Sequence, residues 1–189
     1  MIKIGIVGDI GSGKSYVAKM FGYPVFNADN EVSKLYKKDK KIFKKLKIKL
    51  PKYIHSFPVN KNEIGKAILE NKTNLKKIVE IVHLAIRKKM NLFLKKNKNK
   101  KIVILDIPLL MENKINKKGD VLIFIQSKKT EVSKRLKKRQ NFNLKLFNRF
   151  KKIQLPLEYK KRKSTYIIKN NFTKNSVKVS VKNILKKIL

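Results

Sequence analysis

The most informative stretch of the sequence runs Gly8-Asp9-Ile10-Gly11-Ser12-Gly13-Lys14-Ser15. It matches the pattern G-x-x-x-x-G-K-[ST], and it lies between an apolar run, Lys3–Val7, and a stretch with helical spacing. Glycines let the backbone wrap closely around phosphate oxygens, and the following helix presents its positive N-terminal end there. The alternative, a glycine-rich turn that binds nothing, leaves the lysine, the serine and their spacing unexplained. The stretch therefore predicts a nucleoside triphosphate site, although it does not separate a kinase from a GTPase or an ATPase.

The residues of this phosphate loop have different expected roles. Lys14 provides a point charge for the β- and γ-phosphates, and the Ser15 hydroxyl is an expected ligand of Mg²⁺. ATP is therefore the expected co-substrate and Mg²⁺ the expected cofactor. The other residues expected to bind ATP are Gly8, Asp9, Ile10, Gly11, Ser12, Gly13 and Tyr16.

Composition limits the class of protein. The 189 residues suffice for one domain with a sizeable core. No apolar run approaches the roughly 18–20 residues that span a bilayer, and Met1–Val7 is too short for the core of a signal peptide. Without cysteine, the chain has no disulfides and no thiolate metal site. We expect a cytoplasmic protein with no membrane partner, either a monomer or a weak homo-oligomer.

The charge is unusual, with 50 Lys and Arg against 12 Asp and Glu, a formal net charge of +38. Such an excess can indicate a nucleic-acid partner. Here the basic residues are nearly all lysine and are spread along the whole chain, as a genome that favours A/T-rich codons would produce. A surface that attracts polyanionic metabolites fits equally well. We expect no specific nucleic-acid partner.

Short apolar runs alternate with longer lysine-rich amphipathic ones, which is typical of an α/β fold with a parallel sheet covered by helices. Five strands are predicted: Lys3–Val7, Pro24–Asn27, Lys101–Ile107, Asp120–Gln126 and Tyr166–Lys169. Seven helices are predicted: Lys14–Phe21, Asn30–Lys47, Lys61–Glu70, Asn74–Lys96 with Thr73 as N-cap, Lys129–Lys138, Leu144–Ile153 and Thr173–Ile188.

The connection between the second and third strands is much longer than the dozen or so residues that a crossover needs. It predicts a helical substrate-binding insertion at about residues 30–100. A second basic helical segment, about 135–163, is the expected lid. The whole chain, 1–189, is then one domain whose core comprises 1–29, 101–134 and 164–189.

Two acids follow predicted strands. Asp29 comes directly after the second strand, at the edge of the sheet where ligands bind. It could accept a proton from an attacking hydroxyl, or it could cap the following helix. Asp106 ends the third strand, where an acid either orders Mg²⁺ or has a structural role.

Basic residues supply further candidates. Arg135 and Arg139 are spaced to share one face of a helix, where they could stabilise charge on the transferred phosphate or could be solvated surface residues. His83 lies in the predicted helix Asn74–Lys96, and by itself is more typical of a packed or surface histidine than of a functional one. No second histidine stands at metal-ligand spacing, so a zinc site is not expected.

Several motifs, in order, resemble the dephospho-CoA kinase family over nearly the whole length of the chain. Besides the phosphate loop, the chain has segments similar to the family's D-A-D, H-P-x-I-R, D-x-P-L-L-x-E, R-x-x-x-R and Q-x-P-x-x-x-K. The D-x-P-L-L-x-E and Q-x-P-x-x-x-K segments are the more specific ones. The matching segments are Phe26–Asp29, Val82–Arg87, Asp106–Glu112, Arg135–Arg139 and Gln154–Lys160, followed by Tyr166–Ile168 with Asn170.

The resemblance implies a three-layer P-loop kinase fold that transfers phosphate from ATP to the ribose 3′-hydroxyl of dephospho-CoA. Asp29 matches the proposed base, whereas Lys14, Arg135 and Arg139 match charge-stabilising or lid positions. Ser15 and Asp106 match metal-contacting positions. The residues implied to bind the acceptor are Asp29, His83, Arg87, Pro108, Leu109 and Glu112.

The chain departs from the family pattern at a few positions. Asn27 replaces the first aspartate of D-A-D, which leaves Asp29 alone to supply that charge beside the acceptor. Leu84 stands where the family has proline, and Tyr16 where the phosphate loop continues with threonine.

Two other functions stay open on the sequence. One is a kinase of another small acceptor, such as a nucleoside monophosphate. The other is a nucleotide-dependent switch or nucleic-acid-binding protein that uses the basic surface.

Overall fold

A computed structural model describes residues 1–140 and 142–189. Within them, five strands form one sheet in the order β2-β3-β1-β4-β5, and every neighbouring pair is parallel. This confirms the predicted parallel sheet, whose strands lie within two residues of their expected bounds. The strands are β1 (Ile2–Gly8), β2 (Val25–Asn27), β3 (Ile102–Asp106), β4 (Val121–Gln126) and β5 (Tyr166–Lys169).

The helices also follow the sequence pattern, with two additions. They are α1 (Lys14–Met20), α2 (Ala28–Lys38), α3 (Lys40–Lys49), α4 (Lys61–Glu70), α5 (Lys72–Lys96), α6 (Lys129–Lys137), α7 (Leu144–Lys152), α8 (Leu157–Arg162) and α9 (Lys174–Ile188). The short helix α8, which follows Pro156, was not predicted.

The single helix expected at Asn30–Lys47 is instead two helices, α2 and α3. Asp39 ends the first and caps the second, since its carboxylate accepts hydrogen bonds from the amides of Lys41 and Ile42, at 2.9 and 3.0 Å. Aspartate is among the residues most favoured at such a cap. The apolar spacing continues across the break, which is why periodicity alone did not reveal it.

The expected cap at Thr73 is wrong, because α5 begins one residue earlier and includes Thr73. The side chain of Asn71 takes that role. Its Oδ1 accepts hydrogen bonds from both the amide and the hydroxyl of Thr73, each at 2.9 Å.

The main apolar core lies between the sheet and two helices, α1 and α9. β1, β3 and β4 contribute isoleucines that are fully or almost fully buried, as expected of central strands covered on both faces. At about 25 cal/mol per Å² of buried apolar surface, side chains of this size stabilise the fold by about 1.5–3 kcal/mol each. The members of this core are Ile4, Ile6, Val17, Ala18, Phe21, Ile102, Ile104, Ile123, Ile125, Ile168, Val177, Val181 and Ile184.

The chain forms two compact units. The core unit comprises Met1–Asn27, Asn97–Phe142 and Lys151–Leu189, and it contains the whole sheet. The helical unit comprises Ala28–Lys96 and Asn143–Phe150, with α5 packed against α2, α3 and α4. In the part of the chain that the structure describes, no helix combines the length and the apolar character needed to cross a membrane.

Candidate active site

The phosphate loop lies at the carboxyl edge of the sheet, between the end of β1 and the start of α1. Gly11 and Gly13 have φ angles of 83° and 89°, which residues with a side chain rarely adopt. A Cβ on Gly13 would stand 2.4 Å from the Asn170 Nδ2 atom, and one on Gly11 would stand 3.0 Å from Val132. Glycine is therefore required at both positions by the backbone conformation and by the lack of space for a side chain. The loop packs against Asn170 and Val132, which are far away in sequence.

Lys14 folds back over this loop. Its Nζ atom donates hydrogen bonds to the backbone oxygens of Asp9, at 2.8 Å, and Gly8, at 3.3 Å. The ammonium charge is thereby held against the loop that is expected to receive the phosphates. Tyr16, which is on the first turn of α1, is 42% exposed.

Ser15 and Asp106 are linked by Asn27. The Asn27 Nδ2 group donates to an oxygen of Asp106, and it also lies 3.5 Å from the Ser15 hydroxyl. β2 and β3 are in register with Asn27 opposite Asp106, so these side chains end adjacent strands at the same edge. An aspartate at position 27 would place a second negative charge next to the Asp106 carboxylate. The amide of Asn27 instead donates a hydrogen bond to that carboxylate.

The Ser15 and Asp106 oxygens suit Mg²⁺ by their chemistry, because Mg²⁺ prefers hard oxygen ligands and takes one or two carboxylates together with substrate phosphates. One amide group, the Asn27 Nδ2, is within hydrogen-bond distance of both the hydroxyl and the carboxylate. No cluster of three or more His, Asp or Glu side chains exists among residues 1–140 and 142–189. The donor set thus fits an ion that phosphates help to bind, and it does not form an all-protein cage.

The candidates of the helical unit lie on α2 and α5, which pack together. Asp29 is in the first turn of α2, and His83 and Arg87 are one turn apart on α5. Asp29 therefore does not cap the helix from outside, because α2 already begins at Ala28. In the same helix pair, Glu31 bonds Lys34 at 2.5 Å and lies 3.8 Å from Lys89.

His83 is in an unusual environment for a histidine. Its Nε2 atom is buried and has no hydrogen-bond partner in the described structure. Burial, and secondly the charge of Arg87, hold the pKa of His83 below its usual value of 6.5. Both causes favour the neutral form of the imidazole.

The two arginines of the predicted lid differ in position. Arg135 is on α6, and its guanidinium lies 4.4 Å from the centre of the Phe172 ring, a cation–π contact. Arg139 lies beyond α6, which ends at Lys137, so the expected common helix face does not form. The backbone turns there because the Arg139 amide bonds the Leu136 oxygen at 3.1 Å. The lid itself stays a prediction, and Asn141 within it is outside the described residues.

Glu112 is engaged within the core unit. Its Oε1 atom accepts a hydrogen bond from the Leu155 amide at 3.0 Å and forms a 2.6 Å ion pair with Lys160. Both side chains are almost fully buried. Two of the family-like motifs are thus joined by one buried ion pair. Pro108 and Leu109 lie in the loop after β3, and their role toward an acceptor stays a prediction, as does that of Glu112.

Sequence reasoning assigned no individual role to the residues that support the loop and the motifs. Ser127 follows the end of β4, and Asn170 and Phe172 follow the end of β5. Lys160 lies in a family-like segment, but it had no assigned role. One signal was available: a polar residue directly after an apolar strand of a parallel sheet lies at the same edge as the phosphate loop. Nothing in the local spacing showed which partner each would bind.

Comparison with known proteins agrees with the family that the sequence motifs resemble. The family model described as dephospho-CoA kinase matches residues 2–176. The dephospho-CoA kinase of Wolbachia sp. subsp. Brugia malayi is 33% identical over 187 residues, which cover 96% of this chain and 95% of that one.

Solved structures have the same fold. TT1252 from Thermus thermophilus superimposes with a TM-score of 0.77 at 23% identity, covering 100% of this chain and 98% of that one. A dephospho-CoA kinase from Campylobacter jejuni gives a TM-score of 0.62 at 21% identity, covering 98% and 96%. At these identities the likeness concerns the fold, and it agrees with the three-layer arrangement expected from the sequence.

Proposed function

The chain belongs to the dephospho-CoA kinase family, and we propose that Lys14, Asp29, Ser15 and Asp106 carry the reaction of that family on this chain. The reaction is the ATP-dependent phosphorylation of the ribose 3′-hydroxyl of dephospho-CoA, giving coenzyme A and ADP. The observation that best supports the proposal is the Lys14 ammonium held over a loop whose glycines leave no room for side chains.

The phosphate loop and Lys14 would stabilise the charge that builds on the γ-phosphate oxygens. In phosphoryl transfer the protein contributes mainly positioning and electrostatic stabilisation. Backbone amides of the loop and the Lys14 ammonium supply both, since they are fixed before the substrate arrives. Arg135 and Arg139 are proposed to add positive charge beside the same phosphates.

Ser15 and Asp106 would hold Mg²⁺, with Asn27 keeping the two oxygen ligands together. When bound, the ion neutralises charge on the β- and γ-phosphates. Asn27 carries no charge, so the carboxylate of Asp106 stays available as a hard ligand.

Asp29 is proposed to orient the attacking hydroxyl and to accept its proton. In the transfer, the ribose 3′-oxygen forms a bond with the γ-phosphorus as the bond to the β–γ bridging oxygen breaks. The proton of the hydroxyl passes to the Asp29 carboxylate, and ADP leaves with the bridging oxygen. His83, Arg87, Pro108, Leu109 and Glu112 are proposed to contribute to acceptor binding, directly or through the loop after β3.

The acceptor is tested by incubating the chain with ATP, Mg²⁺ and either dephospho-CoA or a nucleoside monophosphate, with ADP and coenzyme A both measured. We expect ADP in step with coenzyme A, and little ADP from the monophosphates. Faster ADP release with a nucleoside monophosphate would contradict the proposed acceptor.

The role of Asp29 is tested by Asp29→Asn, with Asp39→Asn as a matched control. Both variants lose one carboxylate charge from the helical unit, and asparagine still caps α3 at position 39. We expect Asp29→Asn to abolish transfer and leave ATP affinity nearly intact, while Asp39→Asn keeps normal turnover. Loss of transfer and of ATP binding together would instead indicate a folding role for Asp29.

The cytoplasmic location stays a prediction from the sequence, and we propose it because ATP is available there. Fractionation of cells that express the chain would test it, and recovery with the membrane fraction at high salt would contradict it.

A further inference from the structure

The phosphate loop is also supported by two side chains, those of Asn170 and Ser127, to which the sequence pattern assigns no role. The backbone oxygen of Ser12 accepts a hydrogen bond from Asn170 Nδ2 at 2.9 Å and another from the Ser127 hydroxyl at 3.0 Å. Asn170 follows β5 and is only 2% exposed, while Ser127 follows β4. All three residues belong to the core unit. The middle of the loop is thus tied to the ends of two other strands.

This contact sets the direction of a backbone amide. The peptide bond between Ser12 and Gly13 is planar and trans, so its C=O and N–H groups point to opposite sides. When Asn170 and Ser127 fix the oxygen on one side, the Gly13 amide is fixed on the other. Amides of such loops are the groups that bind phosphate oxygens.

The side chain of Asn170 is itself held in one orientation. Its Oδ1 atom accepts a hydrogen bond from the Phe172 backbone amide at 2.9 Å, and the backbone amide of Asn170 donates to the backbone oxygen of Gln126 at 2.7 Å. With Oδ1 engaged, the Nδ2 group is directed to the Ser12 oxygen. The close approach to Gly13, where a Cβ would stand 2.4 Å from Nδ2, leaves little freedom to move away. Asn170 therefore acts as a rigid donor to the loop.

We propose that Asn170 is a positioning residue for ATP, which orients the Ser12–Gly13 peptide so that the loop is ready for the phosphates, with Ser127 as a weaker second support. The inference rests on the proposed function, since it assumes that the loop binds ATP. It means that nucleotide affinity depends on a side chain 158 residues away from the loop in sequence.

Two substitutions remove the donor in different ways. Asn170→Asp keeps the shape and the acceptor for Phe172, but it places a carboxylate against the Ser12 oxygen. Asn170→Ser is uncharged and too short to reach Ser12, while its hydroxyl can still accept from the amide two residues on. A buried polar group that loses its hydrogen bond costs free energy equivalent to about a tenfold or larger change in an equilibrium constant. If ATP binding must restore the orientation of the Ser12–Gly13 peptide, that cost appears in the affinity. We therefore expect the Kd of MgATP to rise about tenfold in Asn170→Ser and further in Asn170→Asp.

A neighbouring residue offers a matched control. The Asn171 side chain accepts hydrogen bonds from the amide and the hydroxyl of Thr173, at 3.1 and 2.8 Å, and aspartate serves equally well there. Asn171→Asp thus adds the same charge one position further on without touching the loop. We expect its MgATP affinity to match the wild type.

The experiment is a calorimetric titration of the full chain with MgATP, together with KM values for ATP and dephospho-CoA and the melting temperature without ligand. In the folded Asn170 variants we expect a higher Kd and KM for ATP and an unchanged KM for dephospho-CoA, with Asn170→Asp melting lower than Asn170→Ser because its carboxylate is buried beside a carbonyl oxygen. Wild-type affinity for MgATP in both Asn170 variants would overturn this inference and leave the proposed function standing. The same holds if Asn171→Asp lowers the MgATP affinity as much as the Asn170 variants do. If both Asn170 variants fail to fold, Asn170 is a structural residue and the inference is wrong. A wild-type chain that binds no MgATP would instead overturn the proposed function.

Discussion

The core unit and the helical unit differ in the contacts that support them. In the core unit the supporting contacts come from far along the chain: Asn170 bonds Ser12, and Lys160 bonds Glu112. In the helical unit helix caps are prominent, such as Asp39, which accepts from amides two and three residues on. A site held by single long-range contacts is preorganised for its ligand, but it is also sensitive to the loss of any one of them. We therefore expect substitutions in the core unit to cost more than similar ones in the helical unit.

The largest effect on stability is expected from Lys160→Met. The change leaves the buried Glu112 carboxylate without its counter-charge, which typically costs about 3–5 kcal/mol. For a chain of this size that lowers the melting temperature by about 10 °C or more. Lys163→Met, which removes an exposed lysine just after α8, is the control and should melt like the wild type. Equal melting of the two variants would mean that the buried pair does not stabilise the core unit.

A second variant shows whether charge or packing is responsible. Lys160→Met/Glu112→Gln removes both charges and keeps an acceptor for the Leu155 amide. We expect it to recover part of the lost stability, because no unpaired charge is left in the interior. If the double variant is less stable than Lys160→Met, the unpaired charge is not the cause.

The largest effect on turnover is expected from Lys14→Ala. Losing one such charge stabiliser costs about 3–4 kcal/mol of barrier, so kcat should fall by about 10² or more. Lys19→Ala, which removes an exposed lysine from the same helix, is the matched control. Both variants should stay folded by circular dichroism. A near-normal kcat in Lys14→Ala would contradict the role of the phosphate loop in catalysis.

A smaller effect, in the helical unit, concerns pH. Burial and Arg87 hold the pKa of His83 below 6.5, so the folded chain binds fewer protons there than the unfolded chain. Stability should therefore rise with pH between the lowered pKa and about 6.5, and be lost as the pH falls through this range. His83→Gln should flatten that part of the profile of melting temperature against pH. The other histidine, His55, is exposed, and His55→Gln should leave the slope unchanged.

The smallest effect is expected at the ion pair between Lys52 and Glu70. Its atoms are 2.9 Å apart, close to the distance in the Lys160 pair, but both side chains are largely exposed. Exposed pairs contribute little because water screens them and because two flexible side chains must be ordered. Lys52→Ala should therefore melt like the wild type. A fall as large as that of Lys160→Met would mean that burial does not explain the difference between the units.

Local patterns predicted much of the fold and the centre of the site. The strands and the phosphate loop are short runs whose residue types follow directly from burial and from phosphate binding. Each could therefore be predicted from its own local sequence. The break at Asp39 was missed because the apolar spacing continues through it and only the capping side chain marks it. The helix α8 was missed because it is short and follows a proline.

The supports of the site could not be predicted in the same way. The partners of Ser12 are set by the order of the strands, which brings the ends of β4 and β5 beside the loop, and those of Glu112 lie in and just before α8. Asn170 was visible as a polar residue after a strand, but its donor role depends on the orientation that the Phe172 amide gives it. Such contacts between distant residues leave no periodic signal in a single sequence.

The central claim is that the loop from Gly8 to Ser15 binds ATP together with Mg²⁺. Calorimetric titration of the wild-type chain with ATP, first with Mg²⁺ and then with a chelator, tests it most directly. We predict saturable uptake of one ATP per chain with Mg²⁺ and clearly weaker uptake with the chelator. Identical heats in the two titrations, or none in either, would contradict the claim.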